Sequence, residues 1–197
     1  MSENQGKIAV LFGGSSAERE VSLNSGSAVL NSLLSQGFNA VGIDAEGDEL
    51  KIQLKEQNID RCVIMFHGSY GEGGQVQNLL ENLGIPYSGS DTQSSLTGMN
   101  KLKCKSIWRE AGLMTANSHL MQNDQDVRDL KFPLAIKPTS DGSSIGVHYV
   151  KTIGEVKAAY QDASKYGDVM AEEWIIGKEL TVTIIGNKVL PIIWIKS

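Results

Sequence analysis

Short apolar runs alternate with amphipathic segments through the first half of the chain. Residues 7–12 and 61–66 form two such runs, and each is followed by glycine-containing turn residues. Continuous apolar runs of this length are typical of buried parallel strands. Each run leads into a segment with helical apolar spacing, and these segments end at Gly37 and Gly84, where glycine favours a left-handed stop. This order predicts an α/β fold that begins with a Rossmann-like parallel sheet, whose ligands bind beyond the carboxyl ends of the strands.

The second half of the chain has a different pattern, which predicts an α+β region with a mainly antiparallel sheet. Residues 85–87 and the polar run 88–95 are interpreted as a crossover between domains, and a helix is predicted at 101–111. Thr152 and Glu155 predict a capping box at the start of a later helix. Strands are predicted at 134–137, 147–150, 169–172, 180–185 and 189–195. We expect domains at 1–89, 90–176 and 177–197.

Composition and charge narrow the function classes. A net charge of −5 argues against nucleic acid as a partner, because binding a phosphate backbone requires clustered positive charge. The polar N-terminus predicts no signal peptide, and no apolar run approaches the length that spans a membrane, so no membrane partner is expected. The two cysteines match neither disulfide nor metal-site spacing. We therefore expect a cytoplasmic protein.

The first candidate site is the segment 13–22, which follows the first predicted strand. Its glycines allow a tight turn, and the helix that follows offers free N–H groups to an anion. The segment does not have the GxGxxG pattern of dinucleotide-binding proteins. Its acids, Glu18 and Glu20, are also of the kind that complements a helix dipole in the first turn, and spacing alone favours this structural explanation.

The second candidate site is the segment 137–146, where Lys137 ends an apolar strand and a loop rich in glycine and serine follows. Such a loop can cradle a polyphosphate with backbone N–H groups, while the lysine supplies one point charge. The lysine precedes the loop, so this is not a Walker A sequence. The alternative is a plain hairpin turn at Asp141 and Gly142. The upstream Lys-Pro and the paired serines Ser143 and Ser144 favour the phosphate-binding loop.

The third candidate site is the segment 172–179, where two carboxylates flank aromatic and aliphatic residues. Such residues can line an adenine slot, and Glu179 can accept hydrogen bonds from ribose hydroxyl groups. This pattern is weak by itself, because acidic strand–turn–strand segments are common. Lys101 at a helix start is more often a solvated charge than a ligand, and His67 is either a substrate contact or a turn histidine.

Taken in order, these segments resemble the D-alanine–D-alanine ligases of the ATP-grasp superfamily. The resemblance is carried by five strings in the family's order: KIAVLFGGSSAEREVSLNSG from Lys7, HGSYGEGGQVQNLLENLGIPYSGS from His67, MNKLKCK from Met99, IKPTSDGSSIGV from Ile136 and EEWIIGKELTV from Glu172. It implies that ATP phosphorylates the carboxylate of one D-alanine, and that the amino group of a second D-alanine attacks the acylphosphate. Phosphorylation supplies the leaving group that a carboxylate lacks, and catalysis is mainly positioning and charge neutralisation.

The resemblance also implies roles for individual residues. Glu18 and Ser143 are the implied catalytic residues: Glu18 holds the ammonium of the first D-alanine, and Ser143 hydrogen-bonds to Glu18. His67 lies beside this first substrate, and Lys101 and Lys137 contact the α- and β-phosphates. The full set implied to bind the nucleotide is Lys101, Lys137, Ser143, Ser144, Glu172, Trp174, Ile175 and Glu179, with the last four at adenine and ribose.

The chain departs from the family pattern in two places. Gly73 stands where the family usually has an aspartate. The ligands for two Mg²⁺ or Mn²⁺ ions and the second D-alanine site belong to a C-terminal part that the sequence does not show, so no metal ligand is predicted here and the 197-residue chain alone is expected to be inactive. The resemblance further implies a homodimer formed through the N-terminal domain. Two alternatives stay open: a ligase with D-lactate or D-serine as acceptor, and a non-catalytic nucleotide-binding module.

Overall fold

The structure is a computed structural model that describes residues 6–127, 130–140 and 142–196. Two sheets, of three and four strands, each have their own hydrophobic core and organise most of these residues. None of the helices described is long and apolar enough to cross a membrane.

The first sheet is parallel, as the sequence predicts. It contains β1 (Ile8–Leu11), β2 (Ala40–Ile43) and β3 (Arg61–Ile64), in the order β2-β1-β3. Both pairings are parallel, with Ile8 opposite Ala40 on one side and Arg61 on the other. All four residues of β1 are buried, which explains why this central strand reads as an uninterrupted apolar run.

Two helices follow β1 and β2: α1 (Arg19–Ser35) and α2 (Gly47–Glu56). The helix α1 lies close to the sheet because Gly26 is buried against the Phe12 side chain. Gly37 follows α1 with a φ of 82°, so the predicted left-handed stop is confirmed. Both β2 and α2 are additions to the prediction, which passed directly from α1 to β3.

Beyond β3, the chain forms α3 (Gly68–Glu72) and α4 (Gln75–Leu83). The helix α4 ends at Gly84 in the left-handed conformation, as predicted. The chain then returns beside β3, where the Cys62 N–H donates to the Pro86 carbonyl at 2.8 Å. The core of this half is buried between the sheet and the helices, and includes Leu11, Ile43, Leu50, Leu54, Val76 and Leu80.

The polar segment 88–95 is only partly the predicted crossover, because a helix begins inside it. This helix, α5 (Thr92–Met99), starts where the Asp91 carboxylate accepts from the Ser94 N–H at 2.7 Å. It leads directly into α6 (Lys101–Glu110), which confirms the helix predicted at 101–111.

The second sheet is antiparallel throughout, again as predicted. It contains β4 (Ser118–Met121), β5 (Leu134–Pro138), β6 (His148–Val150) and β7 (Val169–Glu173), in the order β4-β7-β5-β6. The helix α7 (Ile153–Ala163) and a 3₁₀ turn at Ser164–Tyr166 connect β6 to β7. The apolar face packs on α7 and buries Leu134, Ile136, Val150, Val156, Val169 and Ala171.

The start of α7 corrects the predicted capping box. The Thr152 side chain makes no capping hydrogen bond to the helix. Instead, the Glu155 carboxylate accepts from the Lys151 N–H at 2.7 Å and from the Thr152 hydroxyl at 3.3 Å. The acid does reach back over the helix start, but to the N–H of the residue before the N-cap, so neither of the two reciprocal hydrogen bonds of a capping box is formed.

Four short strands complete the described chain: β8 (Glu179–Thr181), β9 (Ile184–Ile185), β10 (Lys188–Val189) and β11 (Ile193–Ile195). They pair as two antiparallel ladders, β8 with β11 and β9 with β10. The two longer strands predicted at 180–185 and 189–195 are therefore each interrupted.

Candidate active site

The loop after β1 is tied to the end of β3 by one buried hydroxyl. Ser22 is fully buried on α1; its Oγ accepts from the Gly13 N–H at 2.8 Å and donates to the Met65 carbonyl at 2.7 Å. This arrangement satisfies two backbone groups at neighbouring strand ends, which would otherwise be costly to bury. It also brings the first candidate segment to the edge where ligands of parallel sheets bind.

Side chains from the end of β2 hold the same loop from the other side. Asp44 forms a bidentate pair with Arg19, with contacts of 2.9 and 2.5 Å, and accepts from the Gly14 N–H at 3.0 Å. Ser15 donates to Glu46 through both its N–H and its hydroxyl. The Arg19 hydrogen bond holds the pKa of Asp44 below its usual value despite partial burial. The acids of the 40–46 segment thus fix the turn on which Glu18 is mounted.

Glu18 contacts the second half of the molecule through Ser143. The Ser143 hydroxyl donates to Glu18 Oε1 at 2.5 Å, although the two residues are 125 positions apart. Glu18 occupies the N-cap position of α1, yet its side chain makes no capping hydrogen bond. Glu20 lies in the first turn of α1, where an acid complements the helix dipole. The structural explanation offered for both acids therefore fits Glu20, whereas the Glu18 carboxylate is directed to another element.

The loop that contains Ser143 connects the end of β5 to the start of β6 and is longer than a two-residue turn. It joins the antiparallel neighbours β5 and β6, whose pairing ends at Ile136 and His148. Asp141, on which the hairpin-turn alternative rests, lies outside the described residues, and that alternative stays open. Ser143 and Ser144 adopt left-handed backbone conformations, with φ of 49° and 59°. Non-glycine residues seldom adopt this conformation, and local strain of this kind often marks a ligand-binding loop.

A cleft of about 660 Å³ lies between the first sheet and this loop. His67, Glu72, Lys101 and Gly142 are among the residues that line it. Lys101 begins α6, and its N–H donates to the Thr139 carbonyl at 2.8 Å, which anchors the helix start to the loop. His67 lies with Nε2 3.5 Å from the Ser25 hydroxyl. The structure therefore brings the His67, Lys101 and phosphate-loop candidates around one cavity.

Gly73, the departure from the family pattern, ends α3 beside this cleft. A β carbon added at residue 73 would lie 2.3 Å from the Ser69 carbonyl oxygen, far inside a normal contact. An aspartate therefore requires a different backbone at this turn. The glycine is accommodated by the local packing of α3.

The polar face of the second sheet carries a cluster of two lysines and one acid, in which Lys105 is buried and the other two side chains are half-buried. Glu172 on β7 accepts from the Lys105 ammonium at 2.7 Å and from the Lys137 ammonium. Burial alone would raise the pKa of Glu172, but the two lysine hydrogen bonds outweigh it and hold that pKa below its usual value. The three groups carry a net charge of +1, which suits an anionic ligand.

The remaining third-segment candidates lie beside this cluster. The Trp174 ring, 40% exposed, packs against the Tyr149 ring with centroids 4.6 Å apart. Ile175 follows and is largely exposed. Glu179 begins β8 opposite Ile195, and within the described part of the chain no hydrogen bond joins it to the cluster. The structure thus groups Glu172, Trp174 and Ile175, and leaves Glu179 on the next strand.

Sequence reasoning missed Lys105. It lies on α6 four residues after Lys101 and four before Arg109, so the three cations share one helix face. Arg109 donates to the Ala116 carbonyl and to the Ser118 hydroxyl of β4. The i, i+4 spacing of these basic residues was the available signal, but spacing by itself does not distinguish a packed helix face from a solvated one.

Metal ligands are a separate question. Among residues 6–127, 130–140 and 142–196, no group of three His, Cys, Asp or Glu side chains is placed to hold a metal ion.

Comparison with known proteins decides the family. Residues 97–196, about half of the chain, match the family model described as D-ala D-ala ligase C-terminus. The chain belongs to this family. A relative named D-alanine--D-alanine ligase, from Francisella tularensis subsp. novicida, is 47% identical over 191 residues. That alignment covers 96% of this chain but 64% of the relative, so the chain spans about two thirds of the length of such proteins.

Two solved structures agree with the fold. A D-alanine--D-alanine ligase from Bacillus anthracis, solved in complex with ATP, is 34% identical, with a TM-score of 0.85 over 98% of this chain and 66% of its own. A D-Ala:D-Ser ligase from Enterococcus faecalis is 27% identical, with a TM-score of 0.80 over 94% of this chain and 67% of its own. The fold is thus the α/β architecture of these ligases.

Proposed function

We propose that this chain carries the nucleotide site and the first amino-acid site of an ATP-dependent D-alanine–D-alanine ligase for peptidoglycan precursor synthesis. The observation that carries the proposal is the hydrogen bond from Ser143 to Glu18. It places a carboxylate at the strand ends of the first sheet against a strained, serine-rich loop of the second. A ligase that forms an acylphosphate needs this proximity between a substrate ammonium group and a phosphoryl group.

In this proposal, Glu18 binds the ammonium of the first D-alanine, and Ser143 orients Glu18. His67 lies beside the same substrate, in the cleft that Lys101 and Gly142 also line. The D-alanine carboxylate then faces the loop and attacks the γ-phosphorus of ATP. This forms a D-alanyl phosphate and releases ADP; the amino group of a second D-alanine displaces phosphate.

The second sheet provides the nucleotide site. Lys101, Lys137, Ser143 and Ser144 bind the phosphates of ATP, since they combine two ammonium groups with loop hydroxyl and N–H donors. Adenine lies near Glu172, Trp174 and Ile175, where an aromatic ring borders an acceptor. Glu179 reaches the ribose from the neighbouring strand.

The wider organisation follows from the same family. We propose domains at 1–89, 90–176 and 177–197, two Mg²⁺ or Mn²⁺ ions that are not held by the described residues alone, homodimerisation through the N-terminal domain and a cytoplasmic location. We take D-alanine as the acceptor because the relative from Francisella tularensis subsp. novicida, 47% identical, is named a D-alanine--D-alanine ligase. Gly73 leaves this assignment unchanged, because it alters one turn beside the cleft.

The test is calorimetric titration of the chain with ATP and then with D-alanine. We expect ATP to bind, and Glu18→Gln to weaken D-alanine binding about tenfold or more, because a charged partner is lost. Glu20→Gln is the matched control, since it removes the same charge from the exposed first turn of α1. ATP binding without D-alanine binding would favour the non-catalytic module; equal D-alanine affinity in both variants would overturn the role of Glu18.

Turnover by this chain alone is a separate question, and the expectation that it is inactive stays a prediction. The measurement is phosphate release from ATP in the presence of Mg²⁺, with and without D-alanine. Release that depends on D-alanine would contradict that expectation and would support the ligase assignment directly.

A further inference from the structure

The Lys105–Glu172–Lys137 cluster contains more positive charge than the acid needs. Each lysine contacts a different oxygen of Glu172. One ammonium group is enough to pair a carboxylate, so the second lysine requires another explanation. The surroundings of the two lysines differ, and the difference assigns them separate tasks.

Lys105 is held in place on three counts. Its side chain is only 6% exposed, it projects from α6, and its ammonium also donates to the Thr115 hydroxyl at 2.7 Å. Moving this ammonium would break two hydrogen bonds and leave both acceptors partly buried, which is costly. Lys105 therefore stays with Glu172 whatever binds nearby.

Lys137 is held less firmly. Its side chain is 19% exposed, and within the described chain its ammonium hydrogen-bonds to Glu172 and to no second acceptor. It lies near the end of β5, directly before the loop that carries Ser143 and Ser144. An incoming phosphate needs only to compete with one carboxylate oxygen to recruit this lysine.

We propose that Lys105 is a positioning residue for the nucleotide: it is the permanent counterion of Glu172, which releases Lys137 to bind the phosphates while Glu172 stays ionised and directed toward the base. This inference rests on the proposed nucleotide site. Without Lys105, the Glu172 carboxylate and the phosphates compete for Lys137, because a half-buried carboxylate that loses its last cationic partner is costly. Base recognition and phosphate binding would then compete.

The inference predicts a selective loss in the Lys105→Met variant. Adenosine, which has no phosphate, should keep most of its affinity, because Lys137 still pairs Glu172. ATP should lose more, so the ratio of ATP to adenosine affinity should fall at least about tenfold. A variant with a merely loosened fold would weaken both ligands together and leave the ratio unchanged.

The experiment measures ATP and adenosine by competition against a fluorescent ADP analogue, on the 197-residue chain. Lys103→Met is the matched control, since it removes the same charge from the exposed side of α6. Adding Glu172→Gln to Lys105→Met should restore part of the ratio of ATP to adenosine affinity, because the neutral amide no longer competes with the phosphates for Lys137. An unchanged ratio in Lys105→Met, with ATP still bound by the unaltered chain, overturns the inference; absence of any ATP binding overturns the proposed function as well.

A second readout needs no nucleotide. Titration of ¹³C-labelled glutamate carboxyl groups by NMR, with the Glu172 signal assigned from Glu172→Gln, should show a higher pKa in Lys105→Met than in the unaltered chain. If Lys105→Met does not fold, Lys105→Arg keeps the charge and should retain the pKa and most of the affinity ratio. An equal Glu172 pKa in Lys105→Met and in the unaltered chain would contradict the role given to Lys105.

Discussion

The close contact between Gly26 and Phe12 predicts that replacing Gly26 lowers the free energy of unfolding. A β carbon built at residue 26 lies 2.3 Å from both Cβ and Cγ of Phe12 and 2.4 Å from Cδ1. Three contacts this short cannot be relieved by one rotamer change, since the Phe12 Cβ moves only with its backbone. We therefore expect Gly26→Ala to incur an overpacking cost near the upper end of the usual range, about 3 kcal/mol.

Alanine offsets part of this cost, because it favours a helix over glycine by about 1 kcal/mol. The net loss expected for Gly26→Ala is thus about 2 kcal/mol in the free energy of unfolding. Gly154→Ala is the matched control: residue 154 lies in α7, where an added β carbon meets the Thr152 hydroxyl at an ordinary 3.9 Å. That variant should be stabilised by up to about 1 kcal/mol.

Urea unfolding followed by circular dichroism measures both changes. The two variants make the same chemical substitution in helices, so opposite signs isolate the effect of packing against Phe12. If Gly26→Ala is as stable as the unaltered chain, α1 is farther from the sheet than the structure shows. Glu18, at the N-cap of α1, would then lie elsewhere too.

Two further predictions concern the site. Ser143→Ala should weaken D-alanine binding about fivefold, because it removes one partly exposed hydrogen bond to the Glu18 carboxylate. Ser144→Ala is the control and should leave the affinity for D-alanine unchanged. Equal effects of the two variants in calorimetry would contradict the contact between Ser143 and Glu18. Glu172→Gln should cost about 2–4 kcal/mol of stability at pH 7, because two lysines then face each other without an anion. The pKa of Glu172 is lower in the folded chain than its ordinary value, so the stability that the ionised carboxylate contributes is present above the ordinary glutamate pKa and is lost as the pH falls through the folded value. In urea unfolding, the difference in free energy of unfolding between the variant and the unaltered chain should therefore shrink below about pH 4. A difference that grew instead would refute the pairing.

Much of the fold could be predicted because buried strands and glycine stops leave strong local signals. The apolar run at β1 and the left-handed Gly37 are examples. The strand β2 escaped prediction because Gly42 interrupts its apolar run, and the structure requires this glycine since Phe12 lies against it. The helix α5 escaped because it buries no residue, so its sequence carries no apolar stripe.

The site was less predictable, because its contacts join distant parts of the chain. Nothing local connects Glu18 to Ser143; only the family resemblance paired them. The pairing of Arg19 with Asp44 depends on β2, which the pattern did not reveal. Lys105 was given no role from the sequence, and only the packing of α6 on the second sheet shows that it is buried.

The hydrogen bond between Glu18 and Ser143 also has a consequence for local opening. Each partner is mounted on its own hydrophobic core, so the bond can break while both cores remain folded. Amide hydrogens of the 139–147 loop should therefore exchange with solvent sooner than those of β1 or β5. A ligand that contacts both sides stabilises only the closed arrangement, and by linkage it should slow exchange at this loop more than in either core. Substrate binding would then be detected most strongly as slower hydrogen exchange in the loop that carries Ser143, where the two halves of the chain meet.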